Sequence, residues 1–197
     1  MKEHINQFIA EVTKAARNPR FKHHSWYVDY HLKIVEKIAI SLCRKYPAAN
    51  RSVVLLLVWL HDYGKMVDYE HQHEATITFG REKLAKIGFK PAMIDQALEY
   101  VKIIDNHGRG DLAQAPIEVK IVSSADGAAH LIGPFYAVYW YENPQKSICE
   151  IMAGNRKKAD MEWKEKIVLP EVKKEFKKRY EFILEQNGYG RIISFKN

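Results

Sequence analysis

The sequence predicts an all-α fold, a single helical bundle. Three observations predict it. Apolar residues recur at helical spacing in one segment after another, convincing strand alternation is missing, and Gly and Pro fall at intervals suited to helix ends. The 197 residues, 47% hydrophobic and 28% charged, suffice for one domain with a sizeable core. No internal repeat, low-complexity tract or Pro/Gly-rich linker divides them.

Residues 2–17 read as a first helix, stopped by Asn18-Pro19. Residues 25–46 read as a second, with Ile34, Val35, Ile38 and Leu42 as its apolar stripe and Pro47 closing it. Asn50 or Ser52 caps a third, which runs through Val53–Leu60 into His61-Asp62 and ends at Gly64. A fourth covers residues 73–87 and stops at Gly88. Pro91 opens a fifth, through Ile94, Leu98, Val101 and Ile104 to about His107, and a Gly108-Arg109-Gly110 loop follows. Pro116 starts a sixth, through Ile117, Ile121, Ala125 and Ala128, ending near Gly133. Segments 135–163 and 170–187 also read as helical.

Composition excludes several classes. The longest apolar run, Val53–Leu60, falls well short of the ~20 residues of a membrane helix. Met1–Gln7 has no apolar signal core, and two cysteines, Cys43 and Cys149, cannot form a disulfide framework. A cytoplasmic location without membrane contact is therefore the expectation. The net charge of +7 is concentrated in residues 154–197, around Arg156-Lys157-Lys158 and Lys173–Arg179. Glu171, Glu175 and Glu181 are interspersed there, so a solvated face is the simpler reading. No recognised nucleic-acid motif accompanies it, which argues against a nucleic-acid partner.

Histidines carry the chemistry. His31 lies on the stripe of the second helix, where a lone histidine is more often a satisfied core residue. His61-Asp62 ends the most apolar helix, and as a dipeptide it is weak on its own. Asp126 stands among Ile121-Val122-Ser123-Ser124-Ala125 and Gly127-Ala128-Ala129, where a buried carboxylate needs a cation or donors. Together they offer two imidazoles and two carboxylates on three apolar helices, a set suited to divalent transition metals with open coordination positions. Soft cysteine ligands are missing from that set, which excludes a structural zinc finger.

The order His31, His61-Asp62, Asp126 resembles the H…HD…D signature of the HD-domain metal-dependent phosphohydrolases. The flanks carry the likeness further: Trp26-Tyr27-Val28-Asp29-Tyr30-His31, Leu60-His61-Asp62-Tyr63-Gly64-Lys65, and Glu118-Val119-Lys120-Ile121-Val122-Ser123-Ser124-Ala125-Asp126. It spans an HD core of about residues 25–132, leaving a C-terminal helical extension at about 134–190 of the same single domain. The resemblance implies an HD-type bundle in which His31, His61, Asp62 and Asp126 hold a divalent ion (Mn, Fe, Ni, Co, Mg or Zn). Lys65 then contacts substrate phosphate, and Arg109 is a candidate for a phosphate oxygen. In relatives with an extended signature two metals are held. His73 and His107 stand where the added histidines belong, with His71 competing for the first place; unliganded, either could protonate a leaving group. His130, one turn from Asp126, is a candidate neighbour of the ligands, and His23-His24 a candidate rim of the substrate mouth. Tyr136, Tyr139, Trp140 and Tyr141 read as a bundle-closing aromatic cluster rather than a base-stacking one.

Two departures matter. Gly64-Lys65-Met66 is not the Gly-Tyr-Pro of one cyclic-dinucleotide phosphodiesterase class, and Gly127-Ala128-Ala129 replaces a Lys and an acidic residue common in relatives. The resemblance implies an enzyme that cleaves phosphate esters of a small, nucleotide-like substrate with metal-activated water. The alternative is a metal-containing nucleotide-binding or regulatory module without turnover. A homo-oligomer stays open.

Overall fold

The computed structural model describes residues 1–105 and 112–189, which hold nine α-helices and, among the described residues, no strand. The helices are α1 Lys2–Ala16, α2 Lys33–Lys45, α3 Arg51–Leu60, α4 Gln72–Ile87, α5 Pro91–Asp105, α6 Ile117–His130, α7 Phe135–Glu142, α8 Ile148–Met161 and α9 Pro170–Leu184. None is long and apolar enough to cross a membrane.

Two helices make the centre. The Asn50 side chain caps α3 by accepting from the backbone N–H groups of Ser52 and Val53. Seven α3 residues, Val53, Val54 and Leu56–Leu60, are buried, and α1, α2, α5 and α6 pack around them. The other, α6, is buried throughout Ile121–His130 because that stretch is built largely of small residues. A small surface lets neighbouring backbone approach closely. Ser123 Oγ donates to the Lys166 carbonyl, and Ser124 Oγ accepts from the N–H groups of Val168 and Leu169. A Cβ on Gly127 would come within 2.9 Å of Ile167 Cγ1 and 3.2 Å of the Glu162 carbonyl. The chain between α8 and α9 is thereby pinned to the helix that carries Asp126.

The structure corrects two helical readings. Residues 25–46 are not one regular helix: a π-helical turn, Val28–Leu32, precedes α2 and contains His31. Residues 135–163 are two helices. Pro144 lacks an N–H and disfavours helical geometry at Asn143, so α7 stops at Glu142. Ser147 then restarts the chain through a reciprocal cap: its N–H donates to Glu150 Oε2 at 2.8 Å, and its Oγ accepts from the Glu150 N–H. A second π turn, Glu162–Lys166, follows α8. Such turns insert a residue into the helical period and recur at functional positions.

Candidate metal centre

Three segments deliver the polar side chains. The π turn before α2 turns His31 inward, the end of α3 supplies His61 and Asp62, and the middle of α6 supplies Asp126. His31 Nε2 lies 3.3 Å from Asp126 Oδ1 and 3.8 Å from Asp62 Oδ2. His61 Nε2 lies 3.5 Å from Asp62 Oδ2 and 3.7 Å from Asp126 Oδ1. These separations suit ligands that share one ion at about 2.0–2.2 Å. His31, His61 and Asp126 are almost fully buried.

The donor set passes a test of fit. Nε2 of His31, Nε2 of His61 and Oδ1 of Asp126 are buried atoms without a hydrogen-bond partner. Orphaned buried groups of this kind are costly unless something binds them. His61 Nδ1 is 2.9 Å from the Val58 carbonyl, which fixes the ring and leaves Nε2 facing the shared point. Burial depresses His61, but the carboxylates of Asp62 and Asp126 outweigh it and raise it to about 9. The field that holds a proton there also favours a cation. Burial, reinforced by His130, holds His31 well below the usual histidine range, so its imidazole is neutral.

Both carboxylates are braced, Asp126 through the oxygen turned away from the histidines and Asp62 through the same Oδ2 that faces them. Asp62 Oδ2 accepts from Tyr27 Oη at 2.5 Å and from Lys65 Nζ at 2.7 Å. Asp126 Oδ2 accepts from Lys166 Nζ at 2.5 Å. Burial pushes both carboxyls up, but Lys65 beside Asp62 and Lys166 beside Asp126 hold them well below the usual range. Burial and the Asp62 charge keep the Tyr27 hydroxyl protonated as a donor. Lys166 belongs to the second π turn, as does Glu162, which is wholly buried. Glu162 Oε1 lies 2.5 Å from Lys158 Nζ and 3.4 Å from His130 Nδ1. His130 Nδ1 in turn lies 3.7 Å from Asp126 Oδ1, and His31, Asp126 and His130 form a second group able to hold an ion.

Motif reading did not name Tyr27, Lys158, Glu162 or Lys166 as site residues. The burial requirement of Asp126 was the available signal for a cation near it. The remaining candidates fall as follows. His73 Nδ1 pairs with Asp105 Oδ2 at 2.9 Å on a half-exposed side chain, and the two metal-capable groups found among the described residues do not include it. His71 is exposed and pairs with Asp68. His107 and Arg109 lie outside the described residues. His23 bonds Glu142 and Tyr69, whereas His24 Nδ1 pairs with the Phe21 carbonyl and is exposed. Trp140 and Tyr141 are exposed, which does not suit a bundle-closing role, while Tyr136 and Tyr139 line a cavity of about 320 Å³. That cavity opens onto His31, Lys65 and His130, with Trp26 and Phe135 among its walls.

Comparison with curated proteins and with solved structures gives no match. A family model described as the HD domain matches residues 28–129, just over half of the chain, and the matched stretch contains His31, His61, Asp62 and Asp126. HD domains are generally metal-dependent hydrolases. With this match, and an all-helical core that gathers the signature residues, the chain belongs to the HD-domain family.

Proposed function

We propose that the protein is a metal-dependent phosphohydrolase that cleaves a phosphate ester of a small, nucleotide-like substrate. One observation carries this reading: orphaned, buried ligand atoms converge on one point beside a cavity large enough for such a molecule. His31, His61, Asp62 and Asp126 hold the divalent ion. When bound, such an ion supplies activated water at neutral pH and polarises a phosphoryl oxygen.

The chain's own residues do the rest. Tyr27 and Lys65 orient Asp62, and Lys166 orients Asp126, so neither carboxylate must reorganise. An ammonium has three donors. Lys65 spends one on Asp62 and turns to the cavity with the others, where a phosphate oxygen accepts from it. The aromatic walls exclude water and offer ring faces to an aromatic or sugar substituent. No serine or cysteine nucleophile is required.

The test is a phosphate-release screen of nucleotides and dinucleotides, with Mn, Mg, Ni, Co and Fe added separately, alongside metal analysis of the purified protein. The wild type is expected to carry a transition metal and to release phosphate. His61→Ala combined with Asp62→Ala is expected to lose both. Full activity in that double variant refutes the reading, and tight nucleotide binding without turnover under every metal favours a sensory module.

A further inference from the structure

The cavity has two walls of different origin. One comes from the HD core and carries Lys65; the other comes from α7 and α8 and carries Lys158. Lys158 is held in place by Glu162, a fully buried carboxylate 2.5 Å from its Nζ. Glu162 is itself placed by the π turn pinned to α6. From Lys158 the path back to the metal-capable point is short: Glu162 to His130 at 3.4 Å, and His130 to Asp126 at 3.7 Å. Lys65, which lines the same cavity, reaches that point through Asp62.

We propose that Lys158 and Lys65 form a two-sided clamp on a terminal phosphoryl group, so that the substrate is a phosphomonoester and not a phosphodiester. The inference deepens the hydrolytic reading above and rests on it. A monoester phosphoryl group has three terminal oxygens, and the site offers three positive contacts: the ion, Lys65 and Lys158. A diester has two such oxygens, which leaves one ammonium against an ester oxygen of little charge.

Charge counting agrees. Asp62, Asp126 and Glu162 pair with Lys65, Lys166 and Lys158 in a balanced network. The other charged residues of the cavity wall, Lys22 and Glu142, also cancel. Glu142 is in addition turned to Trp26 Nε1 at 2.7 Å and to His23 at 2.8 Å. A divalent ion adds two positive charges, which a phosphomonoester dianion offsets while the attacking water is still un-ionised. Lys166 is no part of the clamp, because its buried ammonium lies between Asp126 and Glu162. Lys158 is a third exposed, and one contact to Glu162 leaves donors for substrate.

The experiment uses the full chain loaded with Mn. Binding of inorganic phosphate is measured by titration calorimetry, with metal content determined in parallel. Lys158→Met is expected to weaken phosphate at least about tenfold, the loss of one charge-assisted hydrogen bond, with metal content unchanged. Lys158→Arg is expected to restore most of the affinity. For turnover, kcat/KM for p-nitrophenyl phosphate is expected to exceed that for bis(p-nitrophenyl) phosphate by about 100-fold. Wild-type phosphate affinity in Lys158→Met overturns the clamp, and faster turnover of the diester overturns the substrate class; either result leaves metal-dependent hydrolysis standing. A protein that binds no metal and hydrolyses neither ester overturns the hydrolytic reading itself, and the clamp with it.

Discussion

Lys166 Nζ lies 2.5 Å from Asp126 Oδ2, joining residues forty positions apart, one inside and one beyond the stretch that matches the HD-domain model. The chain beyond that stretch therefore contributes to the candidate site and does not merely follow it. A carboxylate in the middle of a buried helix needs compensation, and the Lys166 ammonium supplies it from the chain that α6 pins with Ser123 and Ser124.

Lys166→Met is expected to lower the stability of the metal-stripped protein by about 3 kcal/mol, because it strands a buried carboxylate. A divalent ion on Asp126 offsets part of that loss. The gap in Tm between chelated and metal-supplied protein should thus be wider in the variant than in the wild type. Equal gaps would detach Lys166 from the electrostatics of the site.

Tyr27→Phe removes a buried donor to Asp62 Oδ2 while keeping the ring that packs against His31. Groups that orient metal ligands typically govern affinity 10–100-fold. Competition with a chelator of known affinity should show metal binding weakened by about that range, with the helical signal in circular dichroism unchanged. An unweakened variant would mean that Lys65 alone orients Asp62.

The sequence made His31, His61, Asp62, Lys65 and Asp126 readable because each stands in a short motif with a fixed order. Helix ends were readable where Pro, Gly or Asn mark them, as at Asn50 and Gly88, whose φ of 100° lies in the left-handed region. The π turns were not readable: a five-residue change of pitch leaves the 3.6-residue apolar stripe nearly intact on either side. Glu162 and Lys166 were hidden for another reason. They stand in Met161-Glu162-Trp163-Lys164-Glu165-Lys166, whose composition is that of a solvated face, and only the docking onto α6 turns two of its charges inward. The signals that divide residues 135–163 stand in the sequence as Pro144 and the Ser147–Glu150 capping box, and the structure shows both breaking the segment into two helices.

Gly64 tests how the chain that follows α3 and carries His61 and Asp62 is anchored. A Cβ there would fall 1.8 Å from the Gln72 carbonyl and 2.6 Å from the Thr76 N, both backbone atoms at the start of α4. The Gly64 N–H also donates to Thr76 Oγ1 at 2.8 Å. Neither partner can yield by a side-chain rotation, so Gly64→Ala is expected to cost about 3 kcal/mol or more. For a chain of this size that is a fall in Tm of roughly 6–12 °C, measurable by circular dichroism. The same shift displaces Lys65, the next residue, so phosphate affinity should fall along with stability.

The buried carboxylates set the acid limit of the fold. Burial pushes Asp126 and Glu162 up, but Lys166 beside Asp126, and His130 with the lysines beside Glu162, hold both below the usual carboxylate range. A carboxyl depressed in the folded state contributes stability that is present above its unfolded value of about 4 and is lost as the pH falls through the folded value. Each such group adds a slope of up to about 1.4 kcal/mol per pH unit over that window. Chelated wild-type protein is therefore expected to lose unfolding free energy already below about pH 6.5, where His31 stays neutral in the folded state and protonates in the unfolded one, and to lose it more steeply below about pH 4, where the carboxyls add their slopes. Lys166→Met, which removes the first cause of the Asp126 depression, should start from lower stability and fall less steeply in the same window. Urea denaturation at a series of pH values reads both slopes, and parallel curves would show that Asp126 owes its low value to something other than Lys166.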